Sequence, residues 1–288
     1  MNKKLLQFAG MLLVAVCLCA NFTSCSDDDD EKDDKRNSKN VRGTENGYAW
    51  VDLGLPSGLK WATCNVGATN PWEYGDYFAW GETVGYGKSD PSNAHNQSYT
   101  GGSTVKTYYY WDTYKYCSGT SNKTLTKYNY STSYGTVDNK YILDLTDDAA
   151  RMNMGGSWRM PTKAEQIELI ANCYWEWTDS YNGKGVRGYI VYKVKNNSDK
   201  SEVKHGGGST TTVGAYSLAD PHIFLPAAGY RLKSDLGDAG VGYYWSSSLN
   251  GNSYDSPGSA YYLSFYSDYV SWGSGNRDGG RSVRAVVE

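Results

Sequence analysis

DDAARMNMGGSWRMPTKAE, residues 147–165, marks the end of one helix and the start of another. Thr146 is an N-cap candidate, and Asp147 and Asp148 follow in the first turn, where carboxylates complement the helix dipole. Gly155-Gly156 ends that helix. After Trp158, the run Pro161-Thr162-Lys163-Ala164-Glu165 is a T-x-x-E capping box. Ala164, Ile167, Ile170 and Ala171, with Leu169 at the edge, then recur at helical spacing. On both sides the period changes to two. Residues 48–53 and 59–64 alternate around Pro56-Ser57-Gly58 and predict a β-hairpin, with Val51 and Leu53 on one face and Trp50 and Asp52 on the other. Strand signals return at 189–194, 223–226, 243–245, 261–265, 269–272 and 282–287. Residues 70–141 read as long loops with short strands, and 195–220 as an exposed loop or hairpin extension. Helices grouped between strands make the chain α+β.

The 288 residues carry 28 basic and 31 acidic side chains, too balanced for nucleic-acid binding driven by bulk charge. Ten Trp, 27 Tyr and 33 Gly favour sheets and structured turns over a helical bundle. Three His and no tight Cys/His spacing argue against a zinc centre. At the start, Lys3 and Lys4 precede FAGMLLVAVCLCANF (8–22), 15 residues where a spanning helix needs ~20. A buried core helix fits poorly, because an acidic run follows at once. Residues 1–24 therefore read as a secretory signal peptide. Residues 25–44, with seven acids and five bases, read as a disordered tether, and 45–288 as the folded domain.

The signal ends FTSC (22–25), which resembles a bacterial lipobox, with Phe22 where an aliphatic residue is usual. The resemblance implies palmitate-like acyl chains on Cys25 and attachment to the membrane through them. The run Asp27 to Asp30 resembles the surface-export signal of Bacteroidota lipoproteins, against the plainer reading of a solvated spacer. Localisation is then the outer membrane, facing the exterior. In the folded part, VDLGLPSGLKWATCNVGA (51–68), YGDYFAWGET (74–83), the 147–165 stretch, FLPAAGYR (224–231), YYWSSS (243–248) and SVRAV (282–286) resemble the Fibrobacter succinogenes major paralogous domain. The helix-WRMPT-helix unit with a late YYWSSS and SVR is also similar to the wider C-type-lectin-like fold. That implies two helices packed on antiparallel strands with long loops. The wider set includes formylglycine-generating enzymes.

Fold likeness alone assigns no activity. Cys64 and Cys173 lie in family-like segments, and the resemblance makes them a candidate disulfide; Cys117 lies in a loop. Formylglycine-generating enzymes use paired cysteines near the C-terminus, and no Cys follows Cys173. The tripeptides with which C-type lectins hold calcium are absent from this sequence. Glu73, Asp76 and Glu82 could offer oxygens to a structural calcium, but carboxylates capping turns are the plainer reading. No other cofactor is indicated. No signature selects a pair of glycosidase carboxylates. His95, His205 and His222 have no nucleophile motif nearby. Among aromatics, Tyr108, Tyr109, Tyr110, Trp111, Tyr114 and Tyr116 form the densest block and are candidate ligand-stacking residues. Core packing is the even alternative for them. Trp272 is a further candidate, and Trp245 belongs to the core. The expectation is a non-enzymatic binding or adhesion module for extracellular glycan or protein. A structural component of a surface assembly and an enzyme acting on surface polysaccharide or protein are the alternatives.

Overall fold

Strand dominates the described chain, because β-branched and aromatic residues alternate over most of its length. A computed structural model describes residues 41–86, 106–207, 213–252 and 256–288. The signal peptide, Cys25, the Asp run 27–30 and His95 lie outside the described residues. In chain order the elements are β1 (Arg42–Glu45), β2 (Tyr48–Asp52), β3 (Lys60–Asn65), α1 (Ala149–Met154), α2 (Lys163–Asn172), β4 (Cys173–Thr178), β5 (Gly188–Lys193) and β6 (Val203–Lys204). There follow β7 (His222–Pro226), β8 (Tyr230–Leu232), β9 (Asp235–Gly237), β10 (Gly242–Leu249), β11 (Ser259–Tyr266), β12 (Tyr269–Asn276) and β13 (Arg284–Val287). The architecture is α+β. The sheets run β1-β2-β3-β13, β6-β4-β5-β7 and β10-β11-β12, with β8-β9 as a separate hairpin.

The expected hairpin is β2 paired with β3, and Val51 and Leu53 on its inner face are buried. β13 closes that sheet against β3. Its Arg284 is fully buried and donates to Asn65 Oδ1, Ala62 O, Thr63 O and Phe224 O at 2.8–3.0 Å. Its Nε and Nη1 tie β13 to β3 within the sheet, and Nη2 reaches across to Phe224 of β7. Strand β1 begins at Arg42, so folded structure starts before the boundary placed at 45, and the end of the tether pairs with β2.

Thr162 and Glu165 close the reciprocal capping box at the start of α2, and Arg159 grips Glu165 with two 2.8 Å bonds. The segment before α2 docks on β10 where that strand loses register between Trp245 and Leu249. Ser247 N donates to Pro161 O (2.8 Å), and Lys163 N donates to the Ser248 hydroxyl (3.1 Å). Buried Gln166 donates to the Tyr244 and Trp245 carbonyls at 3.0 and 3.2 Å. The irregular strand leaves backbone groups unpaired, and the helix start satisfies them.

Three local expectations are corrected. The cap of α1 is Asp148, not Thr146: its carboxylate accepts from Arg151 N and Met160 N, tying the helix start to the next segment. Asp147 turns away in a 3-10 turn to meet Lys115, Lys127 and the Tyr128 hydroxyl. The inner face of α2 is Gln166 and Leu169, and Ala164 and Ile167 are exposed, because a polar side chain makes the contact to β10. Within 195–220, Val203–Lys204 pairs parallel to β4 and Tyr216 packs on Tyr174 and Tyr192, so part of this polar stretch is built into the fold.

Candidate functional site

Four of the six rings in the aromatic block 108–116 are core, which corrects the expectation that they form a binding platform together. Tyr109, Trp111, Tyr114 and Tyr116 are buried, and only Tyr108 and Tyr110 reach 37 % and 36 % exposure. Trp111, Tyr114, Tyr116, Tyr128 and Trp80 meet in sequence edge to face, with centroids 5.1–5.9 Å apart. The Tyr109 hydroxyl donates to Tyr77 O, and that of Tyr114 donates to Trp80 O at 2.6 Å. A ring enclosed this way has no face left for a ligand. Trp245 is buried as expected. Trp272 is 46 % exposed on β12, with Lys163 Nζ 3.5 Å over its ring and burial holding that ammonium's pKa down.

The cysteine pairing is also corrected. Cys64, Cys117 and Cys173 are free thiols. Cys64 sits in the sheet of β3, whereas Cys173 opens β4 in a different sheet, buried in the core, where burial pushes its thiol pKa up. Glu73, Asp76 and Glu82 do not assemble a cation site. Burial works against the charge of Glu73, but hydrogen bonds from Asn70 and Thr69 outweigh it and lower its pKa. Glu82 pairs with Lys106 at 2.8 Å and accepts from Lys115 N, and the Asp76 carboxylate lies beside Gly67. Among the described residues, no group of three or more His, Cys, Asp or Glu side chains is placed to hold a metal ion. His222 is buried, not on the surface: its ring meets the Tyr181 hydroxyl and Asp220 O.

The site with unused chemistry lies elsewhere, in a cavity of about 290 Å³. The β8–β9 hairpin supplies Tyr230 and Leu232, and the turn after it Asp238. Tyr243 of β10 and Tyr262 of β11 form the aromatic wall. The turn between β12 and β13, Asn276-Arg277-Asp278-Gly279-Gly280-Arg281, brings Asn276, Asp278 and Arg281 to the same space. Its glycines are required: a Cβ on Gly280 would lie 2.6 Å from the Tyr109 ring. One on Gly275 of β12 would lie 2.6 Å from Arg281 Nη2.

Two residues lining this cavity each keep one buried, solvent-sealed polar atom without a hydrogen-bond partner. Asp278 is 1 % exposed, and its Oδ1 has no hydrogen-bond partner. Burial pushes its pKa up to about 6, against hydrogen bonds from its own and the Gly279 backbone N–H and the charges of Arg281 and Lys106. Arg281 gives one 3.2 Å bond from Nη1 to Asn276 O, while its Nε has no partner. Its guanidinium lies 4.1 Å over Trp245 and 4.7 Å over Tyr262, with Tyr230 and Tyr243 at 5.7 and 5.8 Å. The rings offset the cation's lost hydration without using its donors. Burial pushes its pKa down to about 10. Tyr243 donates to Asp238 Oδ2 at 3.0 Å, which fixes the rim.

Comparison with the other buried arginines separates scaffold from site. Arg277 donates to the Tyr114 hydroxyl, Tyr128 O, Pro257 O and Lys127 O, all within 3.0 Å. Arg284 is equally consumed. Arg231 also keeps an unpartnered Nε, but it stacks on Tyr86 outside the cavity. Arg281 alone of the four combines spare donor capacity with a place in the cavity lining. Comparison with protein-family models, curated proteins and solved structures gives no match. Sequence reading passed over Asp278 and Arg281; the signal was the run RDGGR, two charged types around a Gly pair between strands.

Proposed function

We propose that this chain is a surface lipoprotein whose folded domain is a non-enzymatic binding module for an extracellular glycan or protein. In this reading Cys25 carries the acyl chains, the Asp run after it directs export to the outer leaflet, and the domain stands outside the cell on its acidic tether. The domain is C-type-lectin-like and belongs with the Fibrobacter succinogenes major paralogous domains. Helix start 161–166 seated on the irregular strand 244–248 supports that placement, since those two motifs carried the resemblance. No helix among the described residues is long and apolar enough to cross a membrane.

The observation that carries the binding reading is the cavity walled by Tyr230, Tyr243 and Tyr262, with Asn276, Asp278 and Arg281 among its lining residues. An aromatic wall beside charged and amide side chains fits a ligand with both apolar and polar faces. The test is to probe glycan and host-protein arrays with the full chain, purified in detergent. Reproducible capture by a defined glycan or protein, reduced by D278N, is the expected result. An array without any such capture would overturn the reading and favour a structural role in a surface assembly.

A further inference from the structure

We infer that the free edge of β12 pairs antiparallel with β12 of a second copy of this chain, joining the two β10-β11-β12 sheets across a two-fold axis at Trp272. β12 is the outer strand of its sheet and runs eight residues, YVSWGSGN, without a charge or a proline. The two-residue turn Ser267-Asp268 joins it to β11, with Tyr266 opposite Tyr269 as the closing pair. Such closing pairs exchange hydrogen bonds, and bonded and non-bonded pairs then alternate along the ladder. Tyr269, Ser271, Gly273 and Gly275 therefore bond to β11, while Val270, Trp272 and Ser274 turn their N–H and C=O groups outward. Apart from a 3.5 Å contact from the Ser271 hydroxyl to Trp272 O, those outward groups have no partner among the described residues.

The other sheet edges are closed or blunted. β13 bridges to Arg159, β8 bridges to Gly280, and β10 bonds to Pro161 and Ser282. β7 ends in Pro226 and is wholly buried, and β6 and β9 have only two and three residues. β1 carries Arg42 and Glu45. A long, uncharged, open edge is a template for another strand. Its neutrality selects the occupant: a charged extended peptide finds no complementary group on β12, whereas a second copy sets a neutral edge against a neutral edge. Pairing about Trp272 puts Val270 of each copy opposite Ser274 of the other, so all three outward residues gain partners. A slide by two residues leaves Ser274 opposite the turn, or sets Val270 against Asn276, whose carbonyl already accepts from Arg281 Nη1. The exposed Trp272 rings then form a cross-strand aromatic pair. On the opposite face Gly273 has no side chain to shade the edge, and a Cβ there would lie 2.8 Å from the Tyr262 ring. Against the pairing stands the like charge of the two Lys163 ammoniums, each 3.5 Å over its own Trp272 ring and screened by salt. One edge serves one partner, so the assembly closes at two.

The experiment is sedimentation velocity on the full chain with detergent micelles in excess of chains, where a micromolar association is readable from about 1 to 200 µM. The parent should pass from monomer to dimer over that range. S274P removes an outward N–H and leaves the β11 ladder intact, and W272K sets Lys opposite Lys; each should raise Kd at least about tenfold. Hydrogen exchange supplies the position: the amides of Val270, Trp272 and Ser274 should slow at least about tenfold in step with dimer formation. Near-UV circular dichroism checks packing; where W272K loses it, S274P alone decides. A parent that stays monomeric would overturn the inference. So would a dimer with Kd unchanged in S274P, a dimer in which those three amides exchange as in the monomer, or growth beyond two chains. None of these results bears on the binding module, whose arrays are read separately.

Discussion

Replacing Asp278 by Asn should make the protein more stable at neutral pH and less able to bind. The carboxyl is pushed from its ordinary 3.8 to about 6 by burial. About two pH units at ~1.4 kcal/mol each amount to ~3 kcal/mol. The native state holds this proton more tightly than the unfolded chain does. The contribution is therefore full below about pH 4 and is lost as pH rises through about 6. Asn carries no charge and escapes the loss. Relative to the parent, D278N should gain almost nothing at about pH 3.5 and up to ~3 kcal/mol above about pH 7. For a domain of this size that is roughly 6–12 °C in Tm. Thermal melts of both proteins across that range read the difference directly. Equal melting at neutral pH, or a less stable D278N, would mean that the acid has a partner in solution. The claim that burial destabilises this carboxylate would then fail.

Cys25→Ala should abolish fatty-acid labelling of this chain and release it or leave it unprocessed; labelling that persists would remove the anchor. Changing Asp27, Asp28, Asp29 and Asp30 to Ala should shield the protein from protease added to whole cells, and unchanged digestion would leave the run a plain spacer. Tyr114→Phe removes a hydroxyl that donates to Trp80 O at 2.6 Å and accepts from Arg277 Nε at 3.0 Å. The expected loss is about 1–3 kcal/mol, read as a lower urea midpoint with the same slope, and no loss would contradict the core assignment of this block.

What was legible in the sequence was local. A capping box, a Gly stop and a Pro-Ser-Gly turn act through a few residues, so Thr162, Glu165, Gly155 and the β2–β3 hairpin stand where they were expected. The aromatic block could not be read this way, since burial depends on partners far along the chain. Tyr109 meets Tyr77 and Tyr86, and Tyr114 meets Trp80 and Arg277. Sequence density made these rings conspicuous, and the fold spent them on the core. The helix stripe failed for a related reason: Gln166, polar by composition, is what the irregular carbonyls of β10 require.

The cavity was invisible for the same cause acting in reverse. Apart from the RDGGR run, its groups are scattered from residue 230 to 262, and only the β10-β11-β12 sheet with the β8–β9 hairpin gathers them beside the 276–281 turn. The arginines make the division of labour concrete. Arg277 and Arg284 arrive within eight residues of Arg281, have the same chemistry and are as deeply enclosed. Yet each gives its donors to backbone carbonyls or side-chain oxygens across the fold, and so works as a clamp. Arg281 rests on four rings that ask for no donor, in the same cavity lining as an acid whose Oδ1 has no protein partner. Loss of Arg284 should therefore loosen β13 from β3 and β7, and loss of Arg277 the segments at 114, 127–128 and 257 that it ties together, whereas a change at Arg281 or Asp278 should alter the cavity wall first.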